Sequence, residues 1–582
     1  MRSADGPPVR RQPQWSPARV TIERRAFSLI ILLASWVVCA RQGLAQNLQP
    51  DNQANIVRGI VVNAITHEPI GRALVYSPDN RYAMLSDGEG HFEFTLPKAA
   101  GDNGGVTFAT GNSGKLTFLT ARKPGFLDDP YGTRQVEVLA GAELTIPLMP
   151  EALIKGRVRL PAADPARGVV VQLFARQVQD GSPRWMQKNS ARTNSNGEFR
   201  FAELEPGIYK VLTREWMDND PEATAPGGQL YGFPPVYYPS ATDFASASTI
   251  QLTAGETFRG DFSLLRQPYY PVKIPVTNTR PNGGMNITVS QGQRGPGYSL
   301  GYNQGKDVIE GQLPNGKYLV EAGTFGPSSS ASGLVNLTVA GAPAEGPAVV
   351  LARNSSFPLN VKEEFTSQVM ASRMVSAGDG HIFTAHGPRL DAQIVAEPMD
   401  DFGGQRMTFP GQVTGANDDS LVLDLPPGQY WLRVRPFSGD VASASMGGAD
   451  LLREPLVVVP GAATPIEITM RDDTAELSGS LLGVAATTVD ASRSGTRSFI
   501  YCIPRTDNPG RLLELSVSSD GKFDIQGVAP GVYRVIAFSR QRRDIPYRDA
   551  EAMKAYETEG QIVHFAPGQK VTLQLQIVAG SD

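Results

Sequence analysis

Residues 196–210 read NGEFRFAELEPGIYK, and this stretch decides the fold class. It opens on an Asn-Gly pair, which tolerates positive φ and closes tight hairpins. Phe199 and Phe201 then alternate with polar residues, the period of two that is typical of a half-buried strand. A Pro-Gly pair follows, and Tyr209 leads the next apolar run. The stretch predicts two strands joined by a turn, with a buried tyrosine whose hydroxyl holds a backbone carbonyl.

The same phrase recurs along the chain. Pro-Gly-x-Tyr returns at Tyr430 and Tyr533, and a looser Pro-Asn-Gly-Lys-Tyr copy ends at Tyr318. Counted from Tyr209, successive tyrosines are 109, 112 and 103 residues apart. This spacing exceeds solenoid repeats and matches whole β-sandwich domains of about 100 residues. We predict an all-β chain of tandem immunoglobulin-like β-sandwiches over residues 52–150, 152–270, 271–355, 357–472 and 473–582.

Glycine marks the predicted opening strand of three of these sandwiches. It stands at Gly59, Gly156 and Gly479, each within a short strand-like run. Glycine inside a strand indicates a bulge or the close approach of another segment. Helical patterns are scarce, and the best candidate runs from an N-cap at Asp549 to Glu557.

Composition supports the all-β class and excludes several others. Gly and Pro make up 105 of 582 residues, too many helix breakers for a helical bundle. The 41% of hydrophobic residues is too high for a disordered chain. Net charge is −4, of which residues 1–45 contribute +5 and the remainder −9. A mildly acidic body without a basic stripe argues against nucleic-acid binding.

The first 45 residues have the order of a secretory signal peptide. Two arginines precede the apolar run 26–40, and small residues stand just before Gln46. That run of 15 residues is short for a membrane span, which needs about 20. We expect cleavage after Ala45, export to the periplasm, the outer surface or the medium, and no membrane span in the mature chain. The alternative is an uncleaved anchor.

Candidate catalytic, cofactor and metal residues do not emerge from the sequence. Cleavage after Ala45 leaves Cys502 as the single cysteine, so an intramolecular disulfide or a thiolate zinc site cannot form. None of the five histidines stands in a zinc-binding spacing. No nucleophile elbow, phosphate loop or dinucleotide fingerprint occurs in a suitable context. We therefore predict a chain that is not an enzyme and has no cofactor and no metal.

The first predicted sandwich resembles a known family. Its turn, glycine and apolar positions match, in order, the motif of the carboxypeptidase regulatory-like domain: Gly59, Pro69, Ile70, Ala73, Val75, Asp87, Gly88, Gly90 and Phe92. The resemblance implies a transthyretin-like, carbohydrate-binding-like sandwich, in the arrangement of secreted bacterial multi-repeat proteins. The motif consists of turns and core aromatics, and nothing in the chain resembles a metallopeptidase domain.

The resemblance extends unevenly over the remaining chain. Residues 152–215 and 475–540 are similar to the same family motif. Residues 271–350 and 357–470 share only the Pro-Gly-Tyr phrase with it. Most of the chain after residue 52 is therefore covered, but by a structural motif that names no ligand.

One aromatic stretch is a candidate binding site. Residues 231–239 read YGFPPVYYP, with the rings Tyr231, Phe233, Tyr237 and Tyr238 among three prolines. Exposed rings on a rigid loop stack on the apolar faces of sugars. The competing interpretation is a loop folded over the sandwich edge with its rings buried. Exposed, coplanar rings would indicate sugar binding; we expect burial.

Repeats without a catalytic constellation favour a binding or structural function. The sequence thus predicts a non-catalytic exported scaffold, adhesion or interaction protein. Its partner would be an unknown protein or polysaccharide at the cell surface. The alternative function is that of a carbohydrate-binding protein using the loop 231–239.

Overall fold

β-Strands form almost all of the regular structure in the computed structural model. It describes residues 55–79, 82–96, 118–128, 135–138, 143–161, 164–218, 229–279, 284–291, 296–324, 331–366, 372–376, 382–386, 392–400, 402, 406–408, 421–436, 439–462, 464–482, 498–505, 508–517 and 521–578. All of them belong to one of two units of the chain, residues 55–582. The predicted signal peptide, residues 1–45, and its cleavage point lie outside these ranges. Within them there is no α-helix, and no helix is long and apolar enough to cross a membrane.

The strands fall into five consecutive groups. Group 1 consists of β1 (Asn55–Asn63), β2 (Leu74–Tyr76), β3 (Ala83–Leu85), β4 (His91–Leu96), β5 (Phe118–Arg122), β6 (Val136–Glu137) and β7 (Glu143–Leu148). Group 2 consists of β8 (Ala152–Arg159), β9 (Val170–Gln179), β10 (Ser182–Arg192), β11 (Glu198–Leu204), β12 (Gly207–Thr213), β13 (Trp216–Met217), β14 (Leu230–Phe233), β15 (Ile250–Leu252), β16 (Thr257–Arg259) and β17 (Phe262–Ser263).

The other three groups follow one another along the chain. Group 3 consists of β18 (Gln267–Thr277), β19 (Met285–Gln291), β20 (Gly301–Asn303), β21 (Val308–Pro314), β22 (Gly316–Thr324), β23 (Ala331–Val339), β24 (Ala344–Glu345), β25 (Val349–Val350) and β26 (Ala352–Arg353). Group 4 consists of β27 (Ser355–Glu364), β28 (Ser372–Ser376), β29 (Ile382–His386), β30 (Ala392–Pro398), β31 (Arg406–Thr408), β32 (Leu421–Leu425), β33 (Gly428–Pro436), β34 (Asp440–Met446), β35 (Ala449–Asp450), β36 (Leu456–Val458) and β37 (Ile466–Arg471). Group 5 consists of β38 (Ala475–Leu482), β39 (Phe499–Pro504), β40 (Leu513–Ser516), β41 (Lys522–Val528), β42 (Gly531–Phe538), β43 (Gln561–Phe565) and β44 (Lys570–Val578).

One pattern of strand pairing recurs in all five groups. The opening strand pairs antiparallel with one later strand on one side and parallel with a closing strand on the other. In group 1, β1 pairs in this way with β4 and β7. The corresponding sets are β8 with β11 and β16, β18 with β21 and β24, β27 with β32 and β37, and β38 with β41 and β44. Because parallel strands need a crossover connection, the chain leaves this sheet and returns to it, which builds a sandwich.

The tyrosines of the repeated phrase occupy equivalent places, as predicted. Tyr209, Tyr318, Tyr430 and Tyr533 are each the third residue of a strand, in β12, β22, β33 and β42, and each is buried. In the first three, the hydroxyl donates to the carbonyl four residues earlier, at 2.7, 2.9 and 3.1 Å. The prediction that the hydroxyl holds a backbone carbonyl is confirmed for these three. Tyr533 differs, because its hydroxyl lies beside the side chain of Asn508.

The opening-strand glycines mark a close approach rather than a bulge. Each lies directly opposite the first aromatic ring of the antiparallel partner: Gly59 opposite Phe92, Gly156 opposite Phe199, and Gly479 opposite Phe523. A Cβ atom on these glycines would lie 2.7, 2.8 and 2.5 Å from a carbon of that ring. The glycine therefore makes room for the phenylalanine that fills each core.

Each group encloses a cluster of buried apolar side chains. These clusters draw on residues 57–148, 152–264, 272–351, 357–470 and 475–575. The predicted domain boundaries stay a prediction, which this clustering supports. One pairing joins neighbouring groups, because β14 of group 2 pairs with β18 and so extends the sheet of group 3.

The predicted helix at Asp549 is reduced to a short 3₁₀ turn, Ala552–Tyr556. The N-cap of this turn is Glu551, and Asp549 lies two residues before it, with its Oδ1 accepting the N–H groups of Glu551 and Ala552, both at 3.1 Å. Met553 and Tyr556 pack against a small cluster on group 5, while the turn itself has no buried residue. So short a segment with so little burial does not sustain an α-helix.

Candidate functional site

The aromatic loop 231–239 does not present its rings as one exposed surface. Phe233 and Tyr237 are each 4% exposed, and Tyr231 and Tyr238 are half-buried. Phe233 and Tyr238 pack in the core of group 2, whereas Tyr237 belongs to a second aromatic cluster. Tyr231 lies beneath the guanidinium of Arg266, 4.0 Å from the ring centroid. This placement is typical of rings that cover a sandwich, and the loop does not gather them into a sugar-stacking platform.

That second cluster, which we call the aromatic junction, joins groups 2 and 4. Phe402, just after β30, packs its ring 4.6 Å from Phe244 and 6.4 Å from Phe174, measured between centroids. The backbone of Phe402 also forms a β-bridge with Trp185 on β10. Trp185, Phe174 and Phe244 are all buried. An aromatic ring of group 4 is therefore seated in a pocket on the outside of group 2.

A set of buried and half-buried charges, the ionic junction, brings groups 2, 4 and 5 together. Its members are Asp180, Arg184, Glu397, Arg433, Arg435, Tyr547 and Arg548. Asp180 and Gly181 form the turn between β9 and β10 with φ of 46° and 78°. Positive φ at both central residues is the geometry of a type I′ hairpin turn. The hairpin tip thereby carries a carboxylate into the space between the other two groups.

Asp180 is contacted from both of those groups. Its Oδ1 accepts the hydroxyl of Tyr547 at 2.6 Å. Its Oδ2 lies 3.4 Å from Arg548 of group 5, and 3.6 and 3.9 Å from Arg435 and Arg433 of group 4. The backbone takes part as well, because the carbonyl of Asp180 accepts Nε of Arg548 at 2.8 Å.

A second carboxylate completes the ionic junction. Glu397 on β30 is 1% exposed, and its Oε2 lies 3.3 Å from Arg433 and 3.8 Å from Arg184. Arg184, on β10, also donates from Nη1 to the carbonyls of Pro398 and Asp400, both at 2.8 Å. Arg184, a side chain of group 2, therefore contacts one carboxylate and two backbone carbonyls of group 4. Buried charges are tolerated only when they are paired in this way.

Electrostatics keep the ionic junction charged at neutral pH. Burial alone would raise the pKa of Asp180, but the Arg548 guanidinium and the Tyr547 hydroxyl outweigh it and hold that pKa below its usual value. Burial and the neighbouring Arg548 lower the pKa of Arg433, against the pull of Glu397 and Asp180. Arginine remains protonated in proteins even so. The three groups are therefore joined by charge-assisted hydrogen bonds.

Sequence reasoning did not find either junction. A signal for the hairpin exists, since Asp180-Gly181 stands between two strand-like runs and such pairs close hairpins. Its partners give no local signal, because Arg184 and Asp180 bond to residues 214 and 368 positions away. The alternation of apolar residues predicts which face of a strand is buried, but it does not predict which other sandwich covers that face.

A cavity of about 340 Å³ adjoins the ionic junction. Its wall includes Asp180 and Arg433 together with Asp440, Arg511 and Tyr533 of groups 4 and 5. The Tyr533 hydroxyl lies beside the side chain of Asn508, whereas the buried Oδ1 of Asp440 has no hydrogen-bond partner among the described residues. Burial and the nearby Asp473 carboxylate raise the pKa of Asp440 to about 6. Arginine side chains thus outnumber carboxylates in the wall of this cavity.

Two observations on the described residues concern metal ligands and nucleophiles. In the described ranges, no three His, Cys, Asp or Glu side chains are grouped so that they could hold a metal ion. Burial raises the pKa of the Cys502 thiol to about 12, so it is protonated at neutral pH and a poor nucleophile. Of the five histidines, His381 lies outside the described residues.

Comparison with known proteins yields distant likenesses only. No protein-family model matches the chain, and no curated protein matches its sequence. The TIE protein of Bacillus anthracis is 11% identical, with 72% of this chain and 68% of that chain covered and a TM-score of 0.15. The full-length RrgB pilus protein from Streptococcus pneumoniae is 9% identical, with coverages of 74% and 98% and a TM-score of 0.13. Two B repeat units of the collagen binding protein of Staphylococcus aureus are 8% identical, with coverages of 67% and 92% and a TM-score of 0.14. Scores this low bear on neither function nor mechanism.

Proposed function

We propose that this chain is a non-catalytic, exported β-sandwich repeat protein that acts as a scaffold or adhesion element. The observation that carries the proposal is the ionic junction, where groups 2, 4 and 5 meet around the half-buried carboxylate of Asp180. Flexible tandem domains leave their loops in no fixed arrangement. Three sandwiches joined through buried charges and an aromatic junction instead hold their loops at set distances, as a scaffold requires.

We further propose that the sandwiches are carboxypeptidase regulatory-like domains. It is supported by the register of Gly59 opposite Phe92, which recurs at Gly156 and Gly479. The recurring parallel pairing of opening and closing strands supports five domains with the boundaries predicted above. Transthyretin-like modules host many functions, so this assignment describes the scaffold and names no ligand.

Export and a cell-surface partner are also part of the proposal. They are supported by the order of charged, apolar and small residues in the first 45 positions and by the single cysteine that cleavage would leave. We do not extend the proposal to sugar binding through the loop 231–239. Burial of Phe233 and Tyr237 counts against that alternative, because a ring must be exposed to stack on a sugar.

The test uses the full chain, tagged at its C-terminus, in the cells that produce it. We expect the protein to be found outside the cytoplasm with Gln46 as its first residue, and to be crosslinked there to an envelope protein or polysaccharide. The matched variant Asp180→Ala keeps the export residues and the sandwich cores but loosens the ionic junction. Crosslinking should fall in this variant while export is unchanged. Retention of the protein in the cytoplasm, or equal crosslinking of the unchanged chain and Asp180→Ala, would overturn the proposal.

A further inference from the structure

The outer face of group 2 carries three cations side by side, which we call the cationic row. Arg200 on β11 and Arg259 on β16 stand directly opposite Lys155 on β8, one on either side of it. All three residues are exposed, whereas the preceding Ile154 is buried, so the row faces away from the core. Like charges directly opposite one another on neighbouring strands destabilise a sheet. The stability of the fold therefore does not explain the row.

The equivalent rows of groups 1 and 3 have a compensated charge pattern. In each of them one central cation of the opening strand stands between two acids: Arg58 between Glu93 and Glu143, and Lys273 between Glu310 and Glu345. Opposite charges in such positions stabilise a sheet. Group 2 keeps the central cation but has an arginine in place of each glutamate.

The cationic row lines a groove on the surface of group 2. Two further cations, Arg157 and Arg192, line the same groove. Of the described residues in its wall, only Glu198 carries a carboxylate, and Arg157 already binds it at 2.6 Å. The groove is therefore a cationic surface on a chain whose net charge is −4.

Carboxylates beside the groove do not neutralise the row. Glu151 lies 3.8 Å from Arg200, and Asp261 lies 3.3 Å from Arg259. The two arginine side chains are 62% and 63% exposed, and ion pairs of exposed side chains are weak. Lys155, at the centre, has no ion pair among the described residues. The row thus offers cationic groups that a ligand in solution can reach.

The spacing of the row suits an acidic sugar polymer better than an acidic peptide. Neighbouring strands lie about 4.8 Å apart, so the cations recur across the sheet at about that interval. A chain of uronic acids carries one carboxylate on each sugar ring, and the length of a ring is comparable to that interval. In an extended peptide, side chains on one face recur at about 6.6 Å instead.

We propose that the cationic row binds an acidic polysaccharide, with successive uronate carboxylates on Arg200, Lys155 and Arg259. Arginine binds a carboxylate through two parallel hydrogen bonds, and lysine contributes a compact positive charge. This inference rests on the function proposed above, because it names the class of the cell-surface partner. Export also favours a surface polysaccharide over a nucleic acid, which likewise carries one anion on each unit.

The experiment measures binding of polygalacturonate to the purified chain by titration calorimetry. The methyl ester of the same polymer is the matched probe without charge, and poly-glutamate and single-stranded DNA are acidic polymers of other classes. We expect polygalacturonate to bind at least about tenfold more tightly than each of the three, and its affinity to fall as salt is added. Equal binding of any of the three, or no binding at about 10 mM galacturonate units, would overturn the proposal.

Two matched lysine variants separate binding from folding. Lys155→Gln should weaken polygalacturonate binding about tenfold. It should leave the melting temperature unchanged or slightly higher, because it removes a positive charge from between two arginines. Lys273→Gln is the control, since Lys273 has the equivalent place in group 3 between two glutamates. It should keep the affinity and slightly lower the melting temperature. Equal affinities of the two variants would show that the row does not bind the polymer.

Failure of this inference can be told apart from failure of the proposed function. A chain that is exported and crosslinked as expected, but does not bind polygalacturonate, would overturn the inference alone. A chain that is retained in the cytoplasm would overturn the proposed function, whereas the calorimetry on the purified chain would still decide whether the cationic row binds the polymer.

Discussion

Gly156 shows how a single missing side chain shapes a sandwich core. A Cβ at this position would lie 2.8 Å from the ring of Phe199 and would also overlap the backbone of Gly260. Gly156→Ala should therefore lower the free energy of unfolding by about 1–3 kcal/mol, as other overpacked cores do. Denaturant unfolding measures this. Gly207→Ala is the control, because a Cβ there meets Tyr209 at an ordinary 3.6 Å. Equal losses in the two variants would contradict the argument from close approach.

Glu215 gives the stability a pH dependence that can be tested. Its Oε1 accepts the N–H of Ser299 at 2.7 Å, and burial raises the pKa of the carboxyl to about 7. The folded chain therefore holds this proton more tightly than the unfolded chain, whose pKa is near 4.5. The contribution of Glu215 to stability is greatest below pH 4.5 and falls as the pH rises to 7.

Replacing this carboxyl by an amide should remove that pH dependence. Glu215→Gln keeps the acceptor for Ser299 and carries no charge at any pH. Compared with the unchanged chain, the variant should be more stable at pH 8, by about 2 kcal/mol, and of similar stability at pH 4. Urea unfolding at the two pH values measures the difference. The same difference at both values would show that Glu215 is not protonated in the folded protein.

The aromatic rings of the loop 231–239 stabilise the fold where they are buried and could bind a ligand only where they are exposed. Tyr237 is buried in the aromatic junction, and its hydroxyl donates to the carbonyl of Pro296. Tyr237→Ala should cost about 3–5 kcal/mol of stability, the usual loss for a large core aromatic. The melting temperature should fall accordingly. Tyr231→Ala, which removes a half-buried ring beneath Arg266, should cost less. An unchanged melting temperature for Tyr237→Ala would show that this ring does not stabilise the fold, and would favour a ligand-binding role for the loop.

Strands and turns were predictable from the sequence because their signals are local. Phe199 and Phe201 fix the buried face by alternation, and a Pro-Gly pair followed by Tyr209 fixes the next strand. The close approach of Phe199 to Gly156 could not be predicted, because it depends on the register between two strands and not on the sequence of either strand alone. The helix predicted from Asp549 was wrong although its signals were local, because the segment forms only a short 3₁₀ turn, capped at Glu551, that buries no residue.

The junctions between sandwiches could not be predicted, because they depend on pairs far apart in the chain. Asp180 and Arg548 are 368 residues apart, and neither lies in a pattern that names the other. Tyr533 carries the same repeat phrase as Tyr209, and nothing in that phrase indicates that its hydroxyl lies beside Asn508 instead of bonding to the carbonyl four residues earlier. The contacts between sandwiches therefore depend on the three-dimensional arrangement, whereas the fold class depends on repeated local phrases.

Asp180 holds the arrangement of groups 2, 4 and 5, and its removal should loosen them. Asp180→Ala leaves Arg433, Arg435 and Arg548 without the carboxylate between them. Breaking one partner of a buried charge cluster typically costs about 3–5 kcal/mol. Small-angle scattering should show a larger radius of gyration, while each sandwich core stays folded by circular dichroism. Asp218→Ala is the control, since it breaks a more exposed ion pair with Arg266.

Acid should have the same effect on the ionic junction as the substitution. The pKa of Asp180 is held below its ordinary value of 3.8, so its contribution to the junction is complete above that pH. It is lost as the pH falls below 3.8 through the folded-state pKa, because the protonated carboxyl no longer attracts the arginines. The radius of gyration of the unchanged chain should therefore rise in this acidic window, before the sandwich cores unfold. In Asp180→Ala it should already be high at neutral pH and should show no such step. An identical acid step in both proteins would mean that other carboxyls hold the groups together.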